Sequence, residues 1–515
     1  MSTLDAGFYF VEHQNVPMHI GSLAVFEGPA PSYDELHALY AAKLALVPRY
    51  RQVVRTLPLQ LFRPFWADDE HFELRYHLRH AAVPPPGGPD QLREIAGRVF
   101  GGRLDRARPL WEAWFLEGLA GGRWAILSKV HHCMVDGIGG SDLMAAVFDL
   151  GPISERPEPV PWEPEPGPSV ATMVAGGALD TLAWPARQLA DMPGLLRRRL
   201  WTPAELLGYG RGLTGSARRL ATPSASSLNG PISPHRRWTW ATASLTEVKQ
   251  IRHALDVTVN DIVLAAITSG FRDLLDARGE LEDGVVVRSL VPVSLRGDDE
   301  HQPVSNRVSA ILVNLPVDEP DPVRRLRLLH DQMNDLKHTR QAVGAEFLTG
   351  VLGFAAPSLL ALGARAAFRI PQPLVQTVTT NVPGPPLPLY ILGRRLAELY
   401  PYVPIGDNLR IGVAIFSYLD DLAFGITADY RGVTVPELSV LTHGITGGLA
   451  ELALRKPPGP GKSAKPAKSS KSSARSAKSS VKSSKSSTKS AGKPRKQAKR
   501  VAKQAKQAKQ AKQAK

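Results

Sequence analysis

Two adjacent histidines, His131 and His132, stand where an extended segment ends and a helix is expected to begin. Before them, residues 123–130 alternate apolar and polar side chains, which is typical of a half-buried β-strand. After them come Asp136, a glycine-rich segment and an apolar-periodic run, residues 143–150, which predicts a helix. Glycines at such a junction let other groups approach the backbone closely. The chain is therefore expected to form a strand, a tight turn and a helix, with two bases and a carboxylate at the turn.

Histidine and aspartate are also metal ligands, so the same residues could hold a metal ion. The sequence has no HExxH or CxxC motif and no second cluster of histidine and cysteine, which argues against a metal site. Cys133, the only cysteine, could act as a nucleophile beside a base. Alternation along an extended segment would point it away from the face that carries His132, so we interpret Cys133 as a packing residue.

The run from His131 to Gly137 reads HHxxxDG. It resembles the signature of the acyl-CoA-dependent acyltransferases, which include chloramphenicol acetyltransferase, carnitine acyltransferases and nonribosomal condensation domains. Other segments, over residues 1–455, are similar to those of the bacterial wax ester synthase/diacylglycerol acyltransferase family. In chain order they are LDAGFYFVEHQNVPMHIGSLAVF as an opening strand, RPLWE, TVNDIVLAAI with its Asn260-Asp261 pair, VPVSLR, LPVDEPDP and TNVPGPP.

The resemblance implies an α/β chain with the two-lobed chloramphenicol-acetyltransferase-like fold and an active site in a tunnel between the lobes. Residues 1–150 would form the N-terminal lobe that carries HHxxxDG, and residues 236–455 the C-terminal lobe. Between them, residues 151–235 begin as a proline-rich, acidic stretch, which is typical of an extended connector, and continue as amphipathic helical stretches. Residues 456–515 would be a disordered basic tail.

The same resemblance implies an O-acyltransferase that moves a long-chain acyl group from acyl-CoA to a hydroxyl of diacylglycerol or of a long-chain fatty alcohol, without an acyl-enzyme. His132 is then the general base and His131 a supporting residue. A neutral imidazole with a pKa of about 6.5 suits the removal of a proton from an alcohol at neutral pH. No cofactor is implied, because acyl-CoA is a co-substrate. Two alternatives stay open: an acyltransferase acting on a polyketide or peptide hydroxyl or amine, and a non-catalytic lipid-body or nucleic-acid-coating protein.

Asp136 has two possible roles. It could orient the imidazole directly, as the aspartate of a Ser-His-Asp triad does. In the resembling families it instead forms a structural ion pair with an arginine and, with Gly137, shapes the loop. Arg296, the last residue of VPVSLR, is our candidate partner, and an ordinary surface arginine at a strand end is the alternative.

Polar residues in the C-terminal half are candidates for supporting roles. Asn260 and Asp261 start an apolar helical run, where N-capping residues belong, so helix capping is the leading account of the pair. Thr379, Thr380 and Asn381 lie just before the turn of VPGP. Their hydroxyl and amide groups could donate to an oxyanion or could merely cap the turn.

The net charge of +15 comes from the end of the chain. Twenty of the 63 Lys and Arg residues fall in residues 456–515, which hold no Asp or Glu. Residues 1–455 therefore contain 43 basic and 48 acidic side chains. The tail is almost wholly Lys, Ser, Ala, Gln, Pro and Gly and cannot bury a core, so we expect it to be disordered when free. Its charge suits an anionic surface. We favour the phospholipid of a membrane or lipid droplet over nucleic acid.

The sequence also bears on location. The longest apolar stretch, residues 347–362, is too short and too interrupted by Gly and Pro to span a membrane, although it could rest on a lipid surface. Residues 186–207 form a basic amphipathic stretch that suits either a membrane surface or a solvated face. The first ten residues include Asp5 and no basic residue, which argues against a secretory signal. We expect a cytoplasmic protein peripherally associated with membrane or lipid droplets.

Overall fold

Two mixed β-sheets form the framework of the computed structural model, which describes residues 1, 3–56, 64–135, 143–153, 161–167, 172, 224–294, 308–338 and 374–455. Within these residues the helices are α1 (Thr3–Val11), α2 (Tyr33–Lys43), α3 (Leu74–His77), α4 (Pro89–Gly101), α5 (Leu143–Val147), α6 (Leu245–Leu255), α7 (Val259–Ala277), α8 (Pro322–His338) and α9 (Val435–Leu454). The strands are β1 (His19–Phe26), β2 (Gln52–Arg55), β3 (Phe65–Asp68), β4 (Leu78–Ala82), β5 (Trp111–Leu119), β6 (Arg123–His131), β7 (Arg236–Ser244), β8 (Val287–Ser294), β9 (Val308–Leu315), β10 (Thr377–Val382), β11 (Tyr390–Ile391), β12 (Arg394–Tyr402), β13 (Ile411–Tyr418) and β14 (Asp421–Asp429).

The two large sheets have six strands each among the described residues. Their strand orders are β11-β12-β1-β6-β5-β4 and β7-β14-β13-β10-β8-β9, and β2 pairs with β3 separately. Strand β12 comes late in the chain yet pairs antiparallel with β1, with Leu23 opposite Tyr400. The C-terminal half of the chain thus completes the sheet that the N-terminal half begins. Parallel pairs, such as β4 with β5 and β10 with β13, occur beside antiparallel ones, and the α/β class is confirmed.

Strand β6 lies in the middle of the first sheet, between β1 and β5. Its residues Ala125, Ile126 and Leu127 are fully buried, so both faces of the sheet are covered at this strand. A strand covered on both faces needs apolar side chains on both, which explains why the alternation in its sequence is incomplete. The predicted strand is confirmed, and it extends to His131.

Helix α4 joins the first sheet to the second. The ring of Phe100, near the end of α4, stacks on Tyr402 of β12 with centroids 4.0 Å apart. The same ring meets Trp238 of β7 edge-on at 5.3 Å. Phe100 is fully buried between these partners, so the packing of this aromatic cluster ties the two sheets together.

Helices α7 and α9 pack closely because glycines face each other across their interface. A Cβ atom on Gly270 would come 2.6 Å from the carbonyl oxygen of Leu441, and one on Gly444 would come 2.7 Å from the Cα of Gly270. No larger side chain fits at these two positions without separating the helices. This close packing helps to bury α7 in the core, where every residue from Asp261 to Phe271 is buried.

The predicted opening strand is wrong in its first part. Residues Thr3–Val11 form α1, and the strand β1 starts only at His19. The buried residues Ala6, Tyr9 and Phe10 are spaced three and four apart, which is the period of a helix and not of a strand.

The helix predicted over residues 143–150 exists but ends at Val147, because Asp149 exchanges backbone hydrogen bonds with Tyr390 of β11.

In the described part of the chain, no single helix has the length and apolar character needed to cross a membrane. Helices α6 and α7 meet those criteria only when taken together, and they are bent by 106° where they join.

The domain boundaries predicted at residues 150 and 235 stay predictions. The basic tail, residues 456–515, and the amphipathic stretches at 186–207 and 347–362 lie outside the described residues.

Candidate active site

His132 begins a 3-10 turn, His132–Met134, directly after the last residue of β6. The turn is held from two sides. The backbone N–H of His132 donates to the carbonyl oxygen of Met18 at 2.8 Å, just before β1. The ring of His131 caps the turn, because its Nδ1 accepts the backbone N–H of Cys133 at 3.1 Å. A side-chain acceptor at the start of a turn satisfies a backbone donor that would otherwise have no partner.

The ring of His132 lies against α1. It stacks on Phe8 with centroids 4.0 Å apart and planes 28° from parallel, and the side chain is half-buried. Burial lowers the pKa of His132, and the nearby His131 lowers it further. The ring's own backbone carbonyl and the carboxylate of Asp5 oppose that lowering without cancelling it. Since a histidine in water titrates at about 6.5, His132 is neutral at pH 7.

His131 is fully buried and pairs with an acid from the segment after α1. Its Nε2 lies 2.9 Å from Oε2 of Glu12, although the ring N–H is not aligned for a linear hydrogen bond. The other oxygen of Glu12 accepts two hydrogen bonds from Arg103, at 3.0 and 3.2 Å. Burial alone would raise the pKa of Glu12, but His131, Arg106 and Arg103 outweigh it and lower the pKa to about 2. Glu12 is therefore an anion inside the protein.

Cys133 lies in the turn and not in the extended segment assumed from the sequence. Its side chain is buried in the apolar cluster around β6, and this burial raises the pKa of the thiol. A buried neutral thiol is a poor nucleophile. Within the described ranges, no group of three or more His, Cys, Asp or Glu side chains has the arrangement of a metal site.

Met18 connects the turn to the second sheet. Its backbone carbonyl holds His132, while its side chain packs on the apolar cluster of Val16, Ile232, Ile405 and Leu409, together with Val378 of β10. Strand β10 also carries Thr379, Thr380 and Asn381. One small apolar cluster therefore contacts both Met18, whose carbonyl holds the histidine turn, and the start of β10.

Two of the three polar candidates in β10, Thr379 and Asn381, form hydrogen bonds with other side chains. Thr379 is buried and its Oγ1 accepts a hydrogen bond from Ser289 at 2.8 Å. Thr380 and Asn381 are half-buried, and Nδ2 of Asn381 donates to Oδ1 of Asn260 at 3.4 Å. The structure thus brings together two of the predicted residues, Asn381 and Asn260, that are 121 positions apart in the chain.

Helix capping at the start of α7 is confirmed for Asp261 of the predicted pair and is wrong for Asn260. Thr258 is the N-cap, and Asp261 sits at the third helical position, where each side chain accepts the other's backbone N–H. Asp261 also lies 2.7 Å from Nδ1 of His330 in α8. Asn260 is not a cap. It is instead the partner of Asn381.

Three predicted residues, Asp136, Gly137 and Arg296, lie outside the described residues. Two residues in contact with the histidines, Phe8 and Glu12, were not among the sequence candidates. Phe8 lies in α1, and Glu12 is the residue directly after that helix. The helical spacing of the apolar residues could have indicated the helix that carries Phe8, but the segment was predicted as a strand, and this spacing does not by itself indicate Glu12.

Comparison with solved structures defines the class. The starter condensation domain of rhizomide synthetase, solved in complex with C8-CoA and Leu-SNAC, matches with a TM-score of 0.52 and 13% identity over 88% of this chain and 94% of that one. With the two mixed sheets and the histidine turn at the end of β6, this likeness confirms the chloramphenicol-acetyltransferase-like α/β fold.

Comparison of sequences gives the family. Residues 1–263 match the wax ester synthase/diacylglycerol acyltransferase catalytic domain, and residues 304–453 match the C-terminal domain of the same family. A probable diacylglycerol O-acyltransferase of Mycobacterium tuberculosis is 39% identical over 454 residues, 88% of this chain and 95% of that relative. The solved wax ester synthase/diacylglycerol acyltransferase from Marinobacter aquaeolei matches with a TM-score of 0.60 and 26% identity, over 88% of this chain and 98% of that one. The chain belongs to the wax ester synthase/diacylglycerol acyltransferase family and is an O-acyltransferase, as its motifs predicted.

Proposed function

We propose that the protein transfers a long-chain acyl group from acyl-CoA to the hydroxyl of diacylglycerol, forming triacylglycerol, or of a long-chain fatty alcohol, forming a wax ester. Family membership and the names of the two relatives support this substrate class. The condensation domain of the same fold was solved with C8-CoA, which supports acyl-CoA as the donor. The reaction needs no further cofactor, because the thioester itself activates the acyl group.

One observation carries the mechanism: His132 is half-buried against Phe8, and its pKa is lowered. Its Nδ1 is buried and has no hydrogen-bond partner among the described residues, so we assign Nε2 as the nitrogen that acts as the base. That nitrogen takes the proton of the acceptor hydroxyl as the oxygen attacks the thioester carbonyl. When the tetrahedral intermediate collapses, the C–S bond breaks and the imidazolium returns the proton to the CoA sulfur. General-base help of this kind is worth about 10²–10⁴ in rate.

Transfer is direct in this mechanism, with no acyl-enzyme. The thiol nearest the base, Cys133, is buried and its pKa is raised, so it is not prepared to attack a thioester. The remaining site residues keep supporting roles. Thr380 and Asn381 are candidate donors to the oxyanion. Asp136 and Arg296 are a candidate ion pair that shapes the loop with Gly137.

The two substrates would approach His132 from opposite ends of a tunnel between the two sheets. The apolar cluster around Met18 and Val378, which lies between the histidine turn and β10, supports this placement. The long-chain acceptor and the ester product are insoluble in water, so we further propose that the protein is cytoplasmic and associates peripherally with membrane or lipid droplets. The basic tail is the candidate anchor.

The test is an assay of purified full-length protein with radiolabelled palmitoyl-CoA. Dioleoylglycerol, hexadecanol and water are offered as acceptors in separate reactions, and a peptide amine is offered in a fourth. We expect labelled triacylglycerol, wax ester or both. Release of free fatty acid alone, or transfer only to the amine, would contradict the proposal, and wild type without any transfer would leave the non-catalytic alternative.

A further inference from the structure

We propose that Glu12 is a positioning residue: it selects the tautomer of His131 that caps the turn and so fixes the place of His132. This inference rests on the proposed function, in which His132 is the base. Glu12 itself is not a catalytic residue, because its contacts are with His131, Met18 and two arginines.

The carboxylate of Glu12 is held in the interior. Its side chain is 1% exposed, while those of Arg103 and Arg106 are 38% and 28% exposed. The Nη2 of Arg103 lies 3.0 Å and the Nε of Arg106 3.4 Å from the same oxygen, Oε1. Two guanidinium groups thus compensate one buried anion, which is the condition for keeping such a charge inside a protein. The second oxygen, Oε2, is turned toward His131.

The contacts of His131 determine where its proton lies. Its Nδ1 accepts the backbone N–H of Cys133 at 3.1 Å, and a ring nitrogen that accepts a hydrogen bond carries no proton. The ring proton of His131 is therefore on Nε2, which lies 2.9 Å from Oε2 of Glu12 without the alignment of a linear hydrogen bond. The opposite tautomer would place two N–H groups against each other at Cys133 and a lone pair against the carboxylate. Glu12 disfavours that tautomer.

Glu12 reaches His132 by a second route as well. Its Oε2 also accepts the backbone N–H of Met18 at 3.3 Å. The carbonyl of the same residue, Met18, accepts the backbone N–H of His132 at 2.8 Å. Both supports of the catalytic turn, the His131 cap and the Met18 carbonyl, therefore meet at one carboxylate. A small displacement of Glu12 would shift the base relative to both substrates.

The decisive variants exploit the shapes of asparagine and glutamine. In His131→Asn the side-chain oxygen stands where Nδ1 was and can still accept the N–H of Cys133. In His131→Gln the amide stands where Nε2 was and can contact Glu12 but cannot cap the turn. Glu12→Gln keeps the shape of the acid and removes its charge. Glu94→Gln, an exposed acid paired loosely with Arg98 at 3.9 Å, is the matched control.

Initial rates with palmitoyl-CoA and dioleoylglycerol separate the possibilities. We expect kcat of His131→Asn within about threefold of wild type, and kcat of His131→Gln and Glu12→Gln lower by about tenfold, the size of a lost cap. KM should stay within about twofold, since ground-state binding is not altered. Glu94→Gln should match wild type. Equal kcat in His131→Asn and His131→Gln, or an unchanged kcat in Glu12→Gln, would overturn the inference.

The protonated ring nitrogen of His131 can also be measured directly by NMR, and this measurement does not depend on enzyme activity. Full-length protein labelled with ¹⁵N-histidine reports which ring nitrogen carries the proton, and the His131 signals are the ones lost in His131→Asn. We expect Nε2–H in wild type and a mixture of tautomers in Glu12→Gln. A proton on Nδ1 in wild type would overturn the inference. If the wild-type protein transfers the acyl group to no acceptor, the proposed function is rejected. If the wild-type protein is active and Glu12→Gln has the same kcat, only the role of Glu12 is rejected.

Discussion

The imidazole of His132 and the phenyl ring of Phe8 lie face to face, with centroids 4.0 Å apart and planes at 28°. Phe8 belongs to α1, and His132 follows the central strand β6, so the contact joins the first helix of the chain to the candidate base. One face of the imidazole is covered by an apolar ring, which penalises its charged form. The contact therefore bears directly on the pKa of His132, which burial lowers.

Removing Phe8 should change the pH dependence of acyl transfer. The base acts when neutral, so kcat/KM falls as the pH drops through the pKa of His132. In Phe8→Ala water reaches the ring, the pKa rises toward its ordinary value, and the acid limb of the profile moves to higher pH. Phe72→Ala is the control, because Phe72 stacks on another histidine, His77, at 5.2 Å. An acid limb that stays in place, or moves to lower pH, would contradict this account.

Substitution of His132 should remove most of the acyl transfer. Loss of the general base in His132→Ala is expected to lower kcat by about 10²–10⁴ while the melting temperature changes little. His131→Ala should be milder in activity, because His131 holds the turn without touching substrate. Purified variants are compared at equal concentration. A His132→Ala protein as active as wild type would remove the assignment.

Asp136 and Arg296 should behave as a pair. If they form a partly buried ion pair, Asp136→Asn and Arg296→Ala each leave one member without its partner, at a cost of about 3–5 kcal/mol. Both variants are then expected to unfold at lower urea concentration and to lose activity together. A fully stable but inactive Asp136→Asn protein would indicate instead that Asp136 orients His132 directly.

Acid should unfold the protein partly through Glu12. The charged and titratable groups around its carboxylate are Arg103, Arg106, His131, Lys129, His19, Tyr9 and Cys133. Because the folded pKa of Glu12 is about 2 and the ordinary value is 4.5, its contribution to stability is complete above pH 4.5 and is lost as the pH falls toward 2.

The comparison that isolates this contribution uses urea unfolding at pH 7 and at pH 4 or below. Glu12→Gln should be less stable than wild type at pH 7, and the difference should shrink as the pH falls. Glu94→Gln, whose carboxylate is largely exposed, should show no such convergence. A constant difference between Glu12→Gln and wild type at every pH would show that the charge of Glu12 does not contribute.

Deleting residues 456–515 should separate catalysis from recruitment. Twenty positive charges attract anionic phospholipid with roughly 1 kcal/mol per basic residue near the surface. We expect the truncated chain to keep its activity on detergent-dispersed substrate and to bind phosphatidylserine vesicles more weakly in sedimentation. Equal sedimentation of both forms would show that the tail is not the anchor. A tail that prefers DNA over vesicles at physiological salt would favour the nucleic-acid alternative.

The sequence predicted much of the local structure around the histidines. The strand that ends at His131, the helix that contains Asp261 and the strand end at Asn381 all appear where their patterns placed them. These features depend on side-chain periodicity and on residues with strong local preferences, which a single sequence carries. The opening segment failed because its apolar residues were interpreted by family likeness instead of by their helical spacing.

What the sequence determined by itself is the chemistry at hand: an HHxxxDG run at a strand end, an acyltransferase family and a separate basic tail. Only the tertiary structure decided which residues surround the base. Phe8 stacks on His132 across more than 120 positions, Glu12 pairs with His131, and Asn260 meets Asn381 instead of capping its helix. Such contacts depend on how β1, β6 and α1 pack against one another. No local pattern encodes that packing, because the free energy of a buried contact belongs to both partners at once.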